Sequence, residues 1–372
     1  MSEQEWTSGR RRARRSGADD ADDLRRRTQV ASAIPEADDD TPLARQAAVD
    51  ARMRITLHGR RLPHPERTRV MTVANQKGGV GKTTTAVNLA AALAQSGLEV
   101  LVLDVDPQGN ASTALGIDHH SDIPGTYEVL VEGAALVDTV QPCRDVEGLW
   151  CCPATIDLAG AEIELVTMEH RESLLRRAIA QHLADRRSRG MPRLDYVLID
   201  CPPSLGLITV NAFSAAEEVL IPIQCEYYAL EGLSQLLRNI GLVQEHLNPA
   251  LRVSTILLTM YDARTRLAAQ VAEEVRTHFP HTVLKTTIPR SVRISEAPSH
   301  GLTVMSYDPG SSGALSYLAA AREIAEREAE ARRAAAAAHA PQGAATGQHA
   351  AAALVDLTGQ SHQHATATGE QR

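Results

Sequence analysis

Aromatic residues are scarce. Two Phe, two Trp and seven Tyr make up 3% of the 372 residues. Any core must therefore be filled by Leu, Val, Ile and Ala, which sustain an ordinary hydrophobic fraction of 43%. Cysteine is sparse and unpatterned: Cys143, Cys151, Cys152, Cys201 and Cys225 form no C-x-x-C pair with matching ligands. Such an odd, scattered set reads as reduced thiols in a cytosol. No apolar run approaches the roughly 20 residues of a bilayer span. The arginines near the N-terminus are not followed by the apolar stretch of a secretory signal, so a cytoplasmic protein is expected. Nor is positive charge in excess. The net charge is -8, which excludes a generally basic nucleic-acid binder and leaves only a local patch for DNA.

Composition divides the chain in three. Residues 1–68 are charged and polar, with 15 Lys/Arg against 12 Asp/Glu up to Val70. Such a polyampholyte buries too little apolar surface to offset its ordering entropy and is expected to be disordered. Residues 333–372 are Ala, Gln, His, Thr and Gly, also expected to be disordered, with the alanines able to prolong a preceding helix. Between them, residues 69–332 read as one domain. Apolar runs at 70–74, 99–104, 194–200, 218–223 and 253–259 predict strands. Helical spacing falls at 83–95, 158–187, 229–246, 265–278 and 311–335. Near-continuous aliphatic strands between helices predict an α/β fold, a doubly wound, mostly parallel sheet with helices on both faces. Ligands in such sheets bind beyond the carboxyl ends of the strands.

Residues 75–84 read N-Q-K-G-G-V-G-K-T-T. The usual phosphate-binding loop has a glycine where Gln76 stands, and Lys77 beside it is surplus to that pattern. The rest fits a P-loop NTPase. Gly78, Gly79, Val80 and Gly81 turn the backbone so that its amides, with the helix start at Lys82, Thr83 and Thr84, form an anion cradle. Lys82 is expected to reach the β- and γ-phosphates, and the Thr83 hydroxyl to ligate Mg²⁺. A dinucleotide fold is the rival for a glycine-rich turn, but G-x-G-x-x-G is absent. Asp200 ends a strand and is expected to hold a magnesium-bound water; a strand-end Asp capping the next turn is the plainer alternative. In D-V-D-P-Q-G-N, Asp106 is the candidate for orienting the attacking water, and Asp104 for supporting the metal or Thr83. Pro107 and Gly109 break the strand there, and the pair could also be turn residues only.

These stretches, with L-I-D-C-P-P-S, E-G-L at 231–233, T-M-Y-D-A-R-T at 259–265 and I-P-R-S-V-R-I-S-E-A-P-S-H-G at 288–301, resemble the ParA/Soj group of partitioning ATPases in the wider MinD-like class. The resemblance covers about residues 70–328 and neither tail. It implies a Mg²⁺-dependent ATPase that closes as an ATP-dependent homodimer, with Lys77 reaching the partner's phosphates as a further catalytic cation alongside Lys82 and Asp106. It implies an adenine pocket at Met260 and Pro289. It implies non-specific binding of double-stranded DNA through Arg264 and Arg293, with Arg290 and Arg266 nearby and Lys285 slightly further off. A ParB-type DNA-binding partner would stimulate hydrolysis and release the ATPase from the nucleoid. The alternative, a MinD-like regulator of division-site placement, needs a basic amphipathic C-terminal helix for the membrane. No Lys follows residue 335, so no membrane contact is expected. An iron–sulfur ATPase would need cysteines at ligand spacing, and a metabolic ligase on the same loop would need a substrate pocket these motifs do not indicate.

Overall fold

The runs V-L-V-L-D and Y-V-L-I-D offer no polar face to water, so both sides of each must be covered. In the computed structural model, which describes residues 17–33, 42–57, 59–226 and 229–339, they lie at the heart of one sheet. Its strands are β1 (Arg69–Val73), β2 (Val100–Asp104), β3 (Gln141–Pro142), β4 (Leu149–Cys152), β5 (Tyr196–Asp200), β6 (Glu218–Gln224), β7 (Arg252–Tyr261) and β8 (Val283–Pro289). They run in the order β3-β4-β2-β5-β1-β6-β7-β8, parallel except where β3 meets β4. Every residue of β2 and β5 is buried.

Alternate side chains of these strands enter two cores. Leu101, Leu103, Val197 and Ile199 pack with the helices Leu158–Leu165, Leu174–Ser188, Leu207–Ala215, Ala229–His246 and Arg266–His278. Val100, Val102, Tyr196 and Leu198 pack with the helix Lys82–Gln95 and with residues 314–325 of the helix Ser312–His339. The fold is thus the expected P-loop NTPase-like α/β sandwich, and its core is aliphatic with few rings, Tyr196, Tyr317 and Phe213 being the largest buried side chains.

Several expectations differ from what is found. Residues 1–68 were expected to lack order, yet helices span Gly17–Ser32 and Pro42–Leu57. Charged Arg and Asp do not oppose a helix when Ala and Leu accompany them. Leu62 joins the core, its amide donating to the Ser96 carbonyl at 3.1 Å, so the packed domain begins before residue 69. The single helix expected at 158–187 is broken by a turn in which His170 takes a positive φ of 55°. The helix Leu207–Ala215, buried on most sides, carries no amphipathic stripe and was not foreseen. Neither were β3 and β4, which are too short, nor β8, whose Lys285 and threonines dilute its apolar signal. The described residues through Glu328 form one compact unit; the second starts at Ala329, where the described helix continues to His339. The rest of the 333–372 tail lies outside the described residues.

At the amino end of β1, Arg69 grips Glu218 with two bonds, Nε–Oε1 at 2.8 Å and Nη2–Oε2 at 2.6 Å. Both side chains are at most 10% exposed. The guanidinium outweighs burial and holds the Glu218 carboxyl below its usual range. Arg69→Ala removes the two-bonded partner of a buried carboxylate and leaves it only the looser pairing with Arg252 at 3.4 Å, which is expected to cost about 3 kcal/mol, measurable by urea unfolding at pH 7.

Candidate nucleotide-binding site

The register of three strands builds the site. Asp104 at the end of β2 lies directly beside Asp200 at the end of β5, and Asp200 lies beside Val73 at the end of β1. The loop after β1 therefore opens beside both carboxylates. Asn75 anchors its start, donating from Nδ2 to the Pro222 carbonyl at 2.8 Å and accepting from the Lys77 amide at 3.0 Å. Gly79 and Gly81 adopt positive φ of 72° and 86°, the left-handed conformation that glycine takes without strain. They turn the chain into the helix Lys82–Gln95. Thr259 on β7 closes the far side, donating its hydroxyl to the Val80 carbonyl at 2.8 Å.

The charges divide sharply. Lys82 is buried, and its Nζ donates to the Lys77 carbonyl at 3.3 Å. Burial lowers its pKa, against the pull of Asp200 and Asp106. Lys77 instead turns its Nζ to Glu226, at 2.9 Å and 39% exposed. Asp104 is fully buried; its Oδ2 accepts from the Ser112 amide at 2.9 Å and hydroxyl at 2.7 Å, and its Oδ1 from the Asp106 amide at 3.2 Å. Burial nevertheless pushes its pKa up. Asp106 accepts the Gln108 amide at 3.0 Å. Asp200 is also fully buried, and neither of its oxygens has a well-formed hydrogen bond. The Thr83 hydroxyl beside it pulls its pKa down, but burial and the Asp104 and Asp106 charges push it well up. A buried carboxylate without a well-formed hydrogen bond, beside a threonine hydroxyl and a phosphate cradle, is a donor set that a magnesium ion would satisfy.

Met260, at the end of β7, has φ 50°, rare for a side-chain-bearing residue. This bends the chain back so that its Cε stands 4.0 Å from where a Cβ on Gly81 would be. Pro289 pairs with Tyr261 across β7 and β8, so the two residues expected at an adenine pocket lie at the same end of adjacent strands, Met260 beside the loop. Arg264 and Arg290 follow the same strand ends and are exposed, with the Arg290 amide bonded to the Tyr261 carbonyl at 3.2 Å. Two of the expected arginines, Arg264 and Arg293, are not free cations. Arg264 chelates Asp262 through Nε and Nη2, both at 2.9 Å, and holds its carboxyl well below the usual range. Arg293 meets Glu296 at 3.1 Å and Asp308 at 3.5 Å.

Ser112, Thr259 and Asn75 were not singled out from the sequence. Ser112 sits in the G-N-A-S-T run just after the acidic pair, which is the only hint that it would bond Asp104.

A family model described as an AAA domain matches residues 68–253. The sporulation initiation inhibitor protein Soj of Bacillus subtilis is 53% identical over 257 residues, 69% of this chain and 98% of its own. The chain belongs to the Soj/ParA family of chromosome-partitioning ATPases. Another relative of this ParA-family chain, the chromosome partitioning protein ParA of Myxococcus xanthus, is 50% identical over 70% of this chain and 89% of its own. Among solved structures, a Mycobacterium smegmatis protein described as cobyrinic acid a,c-diamide synthase, with bound ATP analogue and magnesium, superposes at TM-score 0.57 and 39% identity, over 68% of this chain and 93% of that one. The cell division ATPase MinD of Pyrococcus furiosus superposes at 0.55 and 25% identity, over 71% and 99%.

Asp200→Asn replaces a buried charge that lacks a well-formed hydrogen bond by a neutral isostere. A raised folded-state pKa means that the cation-free fold loses stability as pH climbs from the ordinary carboxylate range of the unfolded chain towards the raised folded value. The substitution should thus stabilise the magnesium-free protein at pH 8 by about 1–3 kcal/mol, with a smaller gain at pH 5. Thermal melts at the two pH values in EDTA check this.

Proposed function

We propose that this ParA-family chain hydrolyses ATP as a nucleotide-bridged homodimer, binds double-stranded DNA of any sequence in that state, and leaves the nucleoid when a ParB-type partner stimulates hydrolysis. The observation that carries the reading is the division of labour between two lysines. Lys82 lies buried in the loop, among the backbone groups that would face its own nucleotide. Lys77 stands at the rim on Glu226, where a second copy could meet it. A nucleotide carries several negative charges, and a cation supplied from the facing subunit stabilises charge on the transferring phosphoryl group.

The remaining residues divide the chemistry. The amides of residues 78–84 and the Lys82 ammonium would hold the phosphates. Thr83 and Asp200, with Asp104 behind, would hold magnesium, which supplies charge neutralisation across the β- and γ-phosphates. Asp106, next to Lys82 in the electrostatics of the site, would orient the attacking water. Met260 and Pro289 would flank the base. Arg264, Arg290 and Arg293 lie along one end of the sheet edge, and phosphate contact needs only charge so placed, without base readout. Pairing two subunits doubles that face. Among the described residues no helix is long and apolar enough to cross a membrane.

Lys77→Ala tests the core of this reading. ATP binding by fluorescence should persist, while the ATP-dependent dimer in light scattering disappears and turnover falls on the order of 10³-fold. A dimer that still forms with full turnover would refute it. The DNA arm is separate: Arg293→Glu should keep ATP binding and dimerisation but lose retention of random-sequence duplex, so an unchanged gel shift removes the arginine face.

A further inference from the structure

The arginine face is nearly neutral as the fold presents it. Arg264, Arg266, Arg290 and Arg293 share their surroundings with Asp262, Glu296 and Asp308, and two of the four arginines are tied directly to those carboxylates. A surface with so little net charge holds phosphates weakly. A further cation is delivered to its border from an unexpected part of the chain.

The helix Pro42–Leu57 lies before the stretch matched by the family model. Its sequence carries Arg45, Arg52 and Arg54 against a single Asp50. Arg54, exposed, donates from Nη2 to the Gly310 carbonyl at 3.0 Å. The approach is close: a Cβ on Gly310 would stand 2.7 Å from that nitrogen. Two residues before Gly310 is Asp308, the second carboxylate on Arg293. The loop between them is fixed, since the Ser311 amide and hydroxyl both donate to the Asp308 carbonyl, at 3.1 and 2.7 Å. Nearby Arg60 adds a second tether, paired with Glu326 at 2.9 Å. The helix is thereby fastened at the edge of the arginine face, with one of the five Arg54 donors used and the charge retained.

We propose that the helix Pro42–Leu57 extends the phosphate-binding face in cis, with Arg54 as its contact to duplex DNA beside Arg293. The inference rests on the arginine face put forward above. It gives the N-terminal region a specific task, to supply charge that the face lacks on its own.

The test uses the full chain with ATP and a random-sequence duplex, with anisotropy measured from 50 to 200 mM salt. Arg54→Gln keeps a donor for Gly310 but removes the charge. It should weaken binding about three- to tenfold and flatten the salt slope by about one, while ATP binding is unchanged. Arg54→Lys should restore both affinity and slope. Wild-type affinity and slope in Arg54→Gln would overturn the inference. So would an Arg54→Lys variant as weak as Arg54→Gln, which would reduce Arg54 to a loop anchor. Arg293→Glu separates the two layers: if it abolishes binding and Arg54→Gln does not, only the helix is wrong. If Arg293→Glu also binds normally, the face and the helix fall together.

Discussion

The structure turns on three carboxylates gathered at one edge of a parallel sheet with a single buried lysine among them. Asp104 and Asp200 are lateral neighbours across β2 and β5, and Asp106 follows two residues on. In a low-dielectric setting such like charges raise one another's proton affinity. Ser112 and the Asp106 amide satisfy Asp104, but nothing of good geometry satisfies Asp200. Lys82 is itself partly disfavoured by burial. The site therefore stores electrostatic tension that a cation relieves and a phosphate, received by the glycine-loop amides, balances.

Much of this was legible in the sequence, for physical reasons that differ by element. Glycines at 78, 79 and 81 followed by Lys82-Thr83 leave few other meanings, and the strands 99–104 and 194–200 announce themselves by unbroken aliphatic runs ending on Asp. The helix Ala229–His246 falls where its apolar spacing placed it. What escaped was whatever lacked a periodic signal. Leu207–Ala215 is buried on most sides and so shows no stripe. The short β4 owes its existence to β2 alongside it. Partners set by tertiary contact, such as Thr259 on the Val80 carbonyl, have no local signature. Residues 1–68 misled because charge balance reports on solvation and says little about helix propensity or about docking by single arginines.

The ion pairs on the arginine face change what DNA contact would require. Each phosphate must compete with a carboxylate already in place, Asp262 for Arg264 and Glu296 or Asp308 for Arg293. Exposed pairs of this kind are worth little in water, so the exchange is nearly isoenergetic. Contacts of that sort favour rapid, reversible association.

The strand order also governs when the cradle can form. β1 emerges early, yet its neighbours are β5 and β6, and Arg69 pairs with Tyr196 from 127 residues later. Long-range parallel pairing of this kind is slow, because loop closure precedes any contact. During synthesis the glycine loop is made within the first quarter of the chain, but both neighbours of β1 are present only once β6 has emerged at residue 224, and the far side of the loop waits for Thr259. A nascent chain cut short before β6 carries the whole phosphate-binding motif without β6 and β7, which hold Asn75 and Val80 in place. Nucleotide binding is thus a late event in the life of the chain, and ATP in the cell acts as a selective stabiliser of finished molecules.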